Sequence, residues 1–197
     1  MPEDGGTHQA IEDISLMRTL PNMTVINPAD AKEAEEAVKA AVEYVGPVYI
    51  RLGRAAVDDI HGDDYKFQWG KGEVLRDGSD VAIIATGIMV GKALEAAETL
   101  AKEGIQATVV NIHTIKPLDE QLIIDVARKT GKVVTAEEAT VMGGLGSAVA
   151  ETLARNCPTK QAFVGIQDTF GESGSPADLL KKYGLTADDI VKAAKSL

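Results

Sequence analysis

The 197-residue sequence has a single cysteine, Cys157, which excludes an intrachain disulfide and any cysteine-based metal site. Aromatic residues make up only 4%, too few to expect a stacking platform or an aromatic cage. Basic residues are outnumbered, 20 against 30 acidic ones, giving a formal net charge of −10. Nucleic acids and anionic membranes are held by clustered Lys and Arg, so neither is expected as a partner. No apolar run reaches the roughly 18 residues of a membrane span, and the start lacks a basic-then-apolar leader. The expectation is a cytoplasmic protein. What is present is 45% hydrophobic and 25% charged residues, the mixture of a globular chain with room for one or two domains.

Periodicity divides this chain into two parts. After a loop at residues 1–6, Thr7 can cap a helix starting at His8, with Ala10, Ile11, Ile14 and Met17 on one face. Pro21-Asn22 ends it, and residues 23–26 suit a short strand. Asp30 and Glu33 form an Asp-x-x-Glu start signal, followed by Ala34, Ala37, Val38, Ala41, Val42 and Val45 at helical spacing. Gly46-Pro47 stops that helix before a strand at 48–52. Residues 1–54 therefore hold an α-β-α-β run, about half of a doubly wound domain, whose two strands would leave an open apolar edge.

Residues 55–68 lose periodicity and gain Asp58, Asp59, Asp63 and Asp64, as a linker does. In residues 69–197, Asp77-Gly78 between strand-like runs at 70–75 and 81–85 predicts a hairpin of antiparallel strands. Helices then alternate with strands at 107–112, 132–136 and 161–166, and two short helices close the chain near 176–183 and 187–196. The predicted fold class is α/β. An incomplete α/β half-domain precedes a three-layer C-terminal domain, whose five-stranded, mostly parallel sheet has one antiparallel strand.

Several residues could carry chemistry. In Asp4-Gly5-Gly6-Thr7-His8-Gln9 the glycines permit close approach of a ligand. Asp4 could accept bonds from sugar hydroxyls, and His8 could donate to a carbonyl or move a proton; the competing account is a capped helix start with a solvated His. Arg51 and Arg54 lie at the carboxyl end of a parallel strand, where open α/β sheets bind ligands, and Arg is the natural fork for phosphate. A surface ion pair with Asp58 or Asp59 is the other reading, and Arg54 is the better functional choice. Glu137 and Glu138 are adjacent on a strand and so point to opposite faces, which argues against a shared-proton dyad. One of them caps or pairs locally, or the pair serves a subunit contact. Gly143-Gly144-Leu145-Gly146 fits neither a dinucleotide fingerprint nor a P-loop; tight helix–sheet packing is favoured there over a phosphate cradle. Phe170-Gly171-Glu172-Ser173-Gly174 reads as a turn with a buried aromatic, His61 and His113 as structural, and Cys157 as unactivated.

Taken together and in order, these segments resemble a known family. Glu3-Asp4-Gly5-Gly6-Thr7-His8-Gln9 is similar to the Glu-Asp-Gly-x-Thr-His-Gln loop of transketolases, with Gly6 where many members have Pro. Leu16-Met17-Arg18, Pro21-Asn22-Met23, Pro28-Ala29-Asp30 and the strand 48–54 ending in Arg54 follow in the family's order. So do Ile115-Lys116-Pro117-Leu118-Asp119, Glu137-Glu138, the Gly-rich turn at 143–146 and Phe170–Gly174. The likeness is greatest to the C-terminal subunit of split bacterial transketolases, ahead of 1-deoxyxylulose-5-phosphate synthases and the β subunits of 2-oxoacid dehydrogenases. It implies an enzyme that uses thiamine diphosphate and Mg²⁺ to move two-carbon ketol units between sugar phosphates. By motif position, Asp4 and His8 would contact the substrate near its reacting carbons, and Arg54 would hold its phosphate.

The family's cofactor-activating Glu and its Gly-Asp-Gly metal motif have no counterpart here, so the resemblance implies no cofactor or metal residues in this chain. Residues 1–54 would be the tail of a pyrimidine-binding domain, and the chain alone would be inactive. It would work with an N-terminal subunit or domain and pair as a homodimer through its C-terminal half. The alternatives are a non-catalytic dimerisation or regulatory module, or the C-terminal part of a 1-deoxyxylulose-5-phosphate synthase-like enzyme.

Overall fold

The computed structural model describes residues 5–54 and 56–197; Asp4 lies outside the described residues. Near the start the structure corrects the predicted helix. Gly6–His8 makes one 3-10 turn, Gln9 is extended, and the α-helix begins only at Asp13 (α1, Asp13–Thr19). Thr7 does not cap: its hydroxyl lies 3.0 Å from His8 Nδ1. Without a cap, and with two glycines immediately before it, a helix there would start at a disadvantage. Thr24–Ile26 (β1), Ala31–Glu43 (α2) and Val48–Ile50 (β2) follow. The Asp30 carboxylate caps α2 by accepting from Glu33 N at 2.8 Å, and Glu33 reaches back to Ala29 N at 2.6 Å.

The segment after β2 is anchored by polar groups and aromatic rings. The second oxygen of Asp30 accepts from Ile60 N and His61 N and lies 2.9 Å from His61 Nδ1. Burial works against ionising Asp30, but the backbone bonds from Glu33, His61 and Ile60 prevail and hold its carboxyl below the usual range. His61 Nε2 lies 3.1 Å from Glu73, while buried Glu33 accepts from Tyr65 and Asn111. Trp69 stacks on Tyr44 and meets Phe67 edge-on. Phe67 packs on His113, whose imidazole burial pushes down to about 4. His61 and His113 thus serve the seating of this segment.

Glu73–Arg76 (β3), Val81–Ala85 (β4), Met89–Lys102 (α3), Ala107–Asn111 (β5), Thr114–Lys116 (β6), Glu120–Thr130 (α4), Lys132–Thr140 (β7), Leu145–Asn156 (α5), Lys160–Ile166 (β8), Pro176–Lys182 (α6) and Ala187–Lys195 (α7) complete the chain. The main sheet has the order β3-β5-β4-β7-β8, parallel except for β3. The five strands and the single antiparallel member agree with the sequence reading, but the expected hairpin does not form. β3 pairs with β5 rather than β4, because Gly78 N donates to Thr108 Oγ1 and Ser79 N and Asp80 N donate to Gln106 O. These bonds carry the turn across the start of β5.

Side-chain parity explains the three layers. Val81, Ile83 and Ala85 of β4 face α3 and α7, joining Met89, Leu100 and Ile190, whereas Ala82 and Ile84 face α4 and α5, joining Ile123 and Leu153. A second sheet, β2-β1-β6, forms because β6 pairs antiparallel with β1; the sequence reading had no strand there. Ile14, Val25, Ile115 and Ala139 pack into a small core along this seam. The outer edge of β2 has no neighbouring strand among the described residues. The apolar series of α2 and the residues after it runs into solvent, with Val42 82% and Val45 98% exposed.

Glu137 fixes where α5 starts. It accepts from Leu145 N and Gly146 N at 2.8 Å each, so a side-chain carboxyl occupies the positive end of the helix. A Cβ on Gly144 would fall 2.0 Å from Glu137 Oε2, and one on Gly146 would fall 2.6 Å from the Phe163 ring. Burial pushes the Glu137 carboxyl up to about 7, against the two backbone bonds and the nearby arginines. Between the ordinary 4.5 and about 7 the folded chain holds a proton that the unfolded chain has lost, so this group's contribution to stability falls as pH rises through that window. Urea unfolding at both ends of the window should show a smaller loss of stability for Glu137→Gln than for the parent; equal losses would contradict the assignment.

Candidate functional site

His8 reaches its place because the turn that carries it is held from both sides. A Cβ on Gly5 would lie 2.7 Å from Ser173 Oγ, and one on Gly6 would lie 2.5 Å from Gly171 O, so only glycine allows this approach. Gln9 Nε2 donates to Glu172 O at 3.0 Å. The 170–174 turn therefore buttresses the glycine loop. Its aromatic is not buried as expected: Phe170 is 90% exposed, while its carbonyl accepts from Tyr183 OH and Lys182 pairs with Glu172. Those contacts fix the turn through its backbone and Glu172, and no packing of the ring is required.

Across from this turn, Arg51 N donates to Ile26 O and extends the β2–β1 ladder by one bond. The chain then leaves the sheet and places Arg54 beyond the carboxyl end of β2. His8 and Arg54, which the sequence reading selected, line one open cavity of about 440 Å³, together with Gln9, Asp13, Tyr49 and Glu138. Both selected side chains are exposed. Asp4, the third selected residue, is outside the described residues.

Arg51 lines the same cavity but is committed to the protein. Its guanidinium meets Asp13, Glu138 and two backbone carbonyls, so its partners are not Asp58 or Asp59. The two adjacent glutamates divide as their parity demands: Glu138 faces Arg51, whereas Glu137 caps α5 on the other side. Asp13 and Tyr49 escaped the sequence reading. Tyr49 OH donates to Asp13 Oδ2 at 2.6 Å, and burial together with that carboxylate pushes the phenol up to about 12. Alternation along β2 puts Tyr49 and Arg51 on one face, the one signal that could have flagged Tyr49. The Gly-rich turn brings nothing to the cleft, since its helix end is filled by Glu137.

The cleft's polar lining offers groups for a polar ligand. An Arg at a strand end can grip a phosphate or sulfonate, and an imidazole across the cavity can exchange hydrogen bonds or a proton with a carbonyl or hydroxyl. Among the described residues no group of three or more His, Cys, Asp or Glu is placed to hold a metal ion. No helix among them is long and apolar enough to cross a membrane.

Comparison with known proteins gives this arrangement a family. The model of the transketolase pyrimidine-binding domain matches residues 1–59, and that of the transketolase C-terminal domain matches residues 70–190. A 6-deoxy-6-sulfo-D-fructose transketolase subunit from Clostridium sp. (strain MSTE9) is 51% identical over 97% of this chain and 59% of its own length. A 1-deoxy-D-xylulose-5-phosphate synthase from Desulforudis audaxviator is 43% identical over 98% of this chain and 31% of its own. A solved structure of a split-gene transketolase, an inactive beta4 tetramer, superposes with a TM-score of 0.95 at 55% identity, covering 98% of this chain and 63% of that one. The chain thus spans at most about three fifths of the curated relatives it matches here. With two family domains matched in order along most of its length, the chain belongs to the transketolase family.

Proposed function

We propose that the chain is the C-terminal part of a transketolase that moves two-carbon ketol units between sugar phosphates in the cytoplasm. The observation that carries this reading is the meeting of His8 and Arg54 on one cavity. Arg54 holds the phosphate of the sugar at the strand end. His8, on the opposite turn, contacts the substrate near the reacting carbons and steers a proton or hydrogen bond there. Asp4, at the head of the same loop, accepts from the hydroxyl beside the carbonyl. Net charge opposes an anionic substrate, so attraction is local to Arg54.

This reading assigns thiamine diphosphate and Mg²⁺ to none of the described residues. The Gly-rich helix start is filled by the Glu137 carboxylate, and no metal-holding cluster exists among the described residues. Both groups therefore belong to an N-terminal subunit or domain that completes the sheet beyond the open β2 edge and covers Val42 and Val45. The C-terminal half pairs two copies. A relative that forms an inactive beta4 tetramer supports self-association without turnover, and the domain assignment is residues 1–54, linker 55–68 and 69–197. The synthase relative supports a second reading, in which the same cleft serves 1-deoxy-D-xylulose-5-phosphate formation.

Isothermal calorimetry of this chain alone should show no tight uptake of thiamine diphosphate with Mg²⁺; tight binding would refute the division of labour. Supplied with the complementary subunit, it should restore ketol transfer between sugar phosphates. His8→Ala should lower kcat/KM by about 100-fold or more, and Arg54→Ala should act mainly on the KM for the phosphorylated sugar. Carbon dioxide release from pyruvate plus glyceraldehyde 3-phosphate, without ketol transfer, would select the synthase reading. No rescue of either activity would leave a non-catalytic module.

A further inference from the structure

Arg51 stands at the junction of three segments that are remote in sequence. Its Nε donates to Asp13 Oδ2 at 3.0 Å and Nη1 to Glu138 Oε2 at 3.3 Å, while Nη2 donates to Ala10 O and Glu138 O at 3.0 Å each. Four of the five N–H donors of the guanidinium are thus used within the protein, which leaves little for a substrate anion. The group is nearly out of solvent, with side-chain exposures of 14% for Arg51, 10% for Asp13 and 6% for Glu138. Two of its acceptors are backbone carbonyls, so it fixes main chain as well as side chains. Ala10 lies two residues from His8 and Arg51 three residues from Arg54, and both tethers are too short for independent drift.

We propose that Arg51 is a positioning residue that sets the separation of His8 and Arg54, with Glu138 of β7 as its anchor in the C-terminal domain. The proposal rests on the reading of His8 and Arg54 as the two ends of a sugar-phosphate site. A phosphorylated sugar must satisfy Arg54 and His8 at once, and a displacement of about 1 Å at either end is costly. An unphosphorylated aldehyde needs only the His8 end. The clamp therefore acts on substrates that span the cleft, and through Glu138 it gives the C-terminal domain a part in selecting them. The fork is what does this. Lys in its place keeps the charge but is a point donor on a flexible stem, unable to reproduce the planar, multiple contacts. Removing the charge outright would leave the Asp13 and Glu138 carboxylates buried and uncompensated, and Asp13 Oδ1 already lacks a hydrogen-bond partner among the described residues. The informative variants are accordingly Arg51→Lys and Glu138→Gln.

The test uses the complete enzyme assembled with its complementary subunit, and measures kcat/KM for D-glyceraldehyde 3-phosphate and D-glyceraldehyde as acceptors. Both variants should lower the value for the phosphorylated acceptor by about tenfold or more, chiefly through KM, and that for the plain aldehyde by less than about threefold. A merely structural role would lower both alike by reducing the amount of folded enzyme, and equal losses, or none, overturn the proposal. Hydrogen exchange on this chain alone gives a second readout. Amides of residues 8–16 should exchange faster in both variants while those of β4 and α3 stay as protected as in the parent; unchanged exchange at 8–16 overturns the proposal without reference to activity. Arg54→Ala separates the two levels. If it leaves the preference for the phosphorylated acceptor intact, the reading of the cleft has failed. If it abolishes that preference while Arg51→Lys does not, the positioning role alone has failed.

Discussion

A parallel pair of three-residue strands cannot stand alone in water, and much of this molecule answers that constraint. β1 gains its second neighbour from β6, a strand of the other half of the chain. The seam is closed by Ile14, Val25, Ile115 and Ala139, contributed by elements as far apart as α1 and β7. Asp30 and Glu33 tie the segment after β2 to the start of α2. Arg51 then joins β2 to β7 and to the turn before α1. Described residues before β3 therefore depend on β6 and β7 for their shape, and the cleft lies along that seam.

The polar groups at this seam are arranged by the cost of burial. Glu33 is wholly buried and is satisfied by Ala29 N, Tyr65 and Asn111. Glu137 is buried against a helix end, and Glu138 against Arg51. Each carboxylate has its donor, because an unpaired buried charge is among the costliest defects a fold can carry. Such networks hold an arrangement in one geometry more than they add stability. The substrate grip proposed for His8 and Arg54 calls for such a fixed geometry.

Much of the fold was legible because it rests on local rules. The continuous apolar run Val81–Ala85, buried on both faces, and the Asp30 and Thr186 caps all act within a few residues. The misreadings came from long-range contacts. The helix expected at His8 yields to a turn that packs on Gly171 and Ser173, more than 160 residues away. The Asp77-Gly78 turn looks like a hairpin locally, yet Gln106 and Thr108 draw it across to β5. Thr114–Lys116 is too short to announce itself as a strand. Motif and strand-end position single out His8 and Arg54, and the two line one cavity. Asp13 was missed because its role exists only once Tyr49 and Arg51 are beside it, and nothing in the spacing of these residues reveals that pairing.

On the function proposed here, the cleft between His8 and Arg54 forms one wall of a sugar-phosphate site. The most direct test is a crystal structure of the assembled enzyme with a bound sugar phosphate. The account predicts the phosphate within hydrogen-bond distance of the Arg54 guanidinium, the carbonyl end of the sugar beside His8, and Arg51 still bonded to Asp13 and Glu138. A sugar bound elsewhere, or one turned so that its phosphate lies away from Arg54, would contradict it.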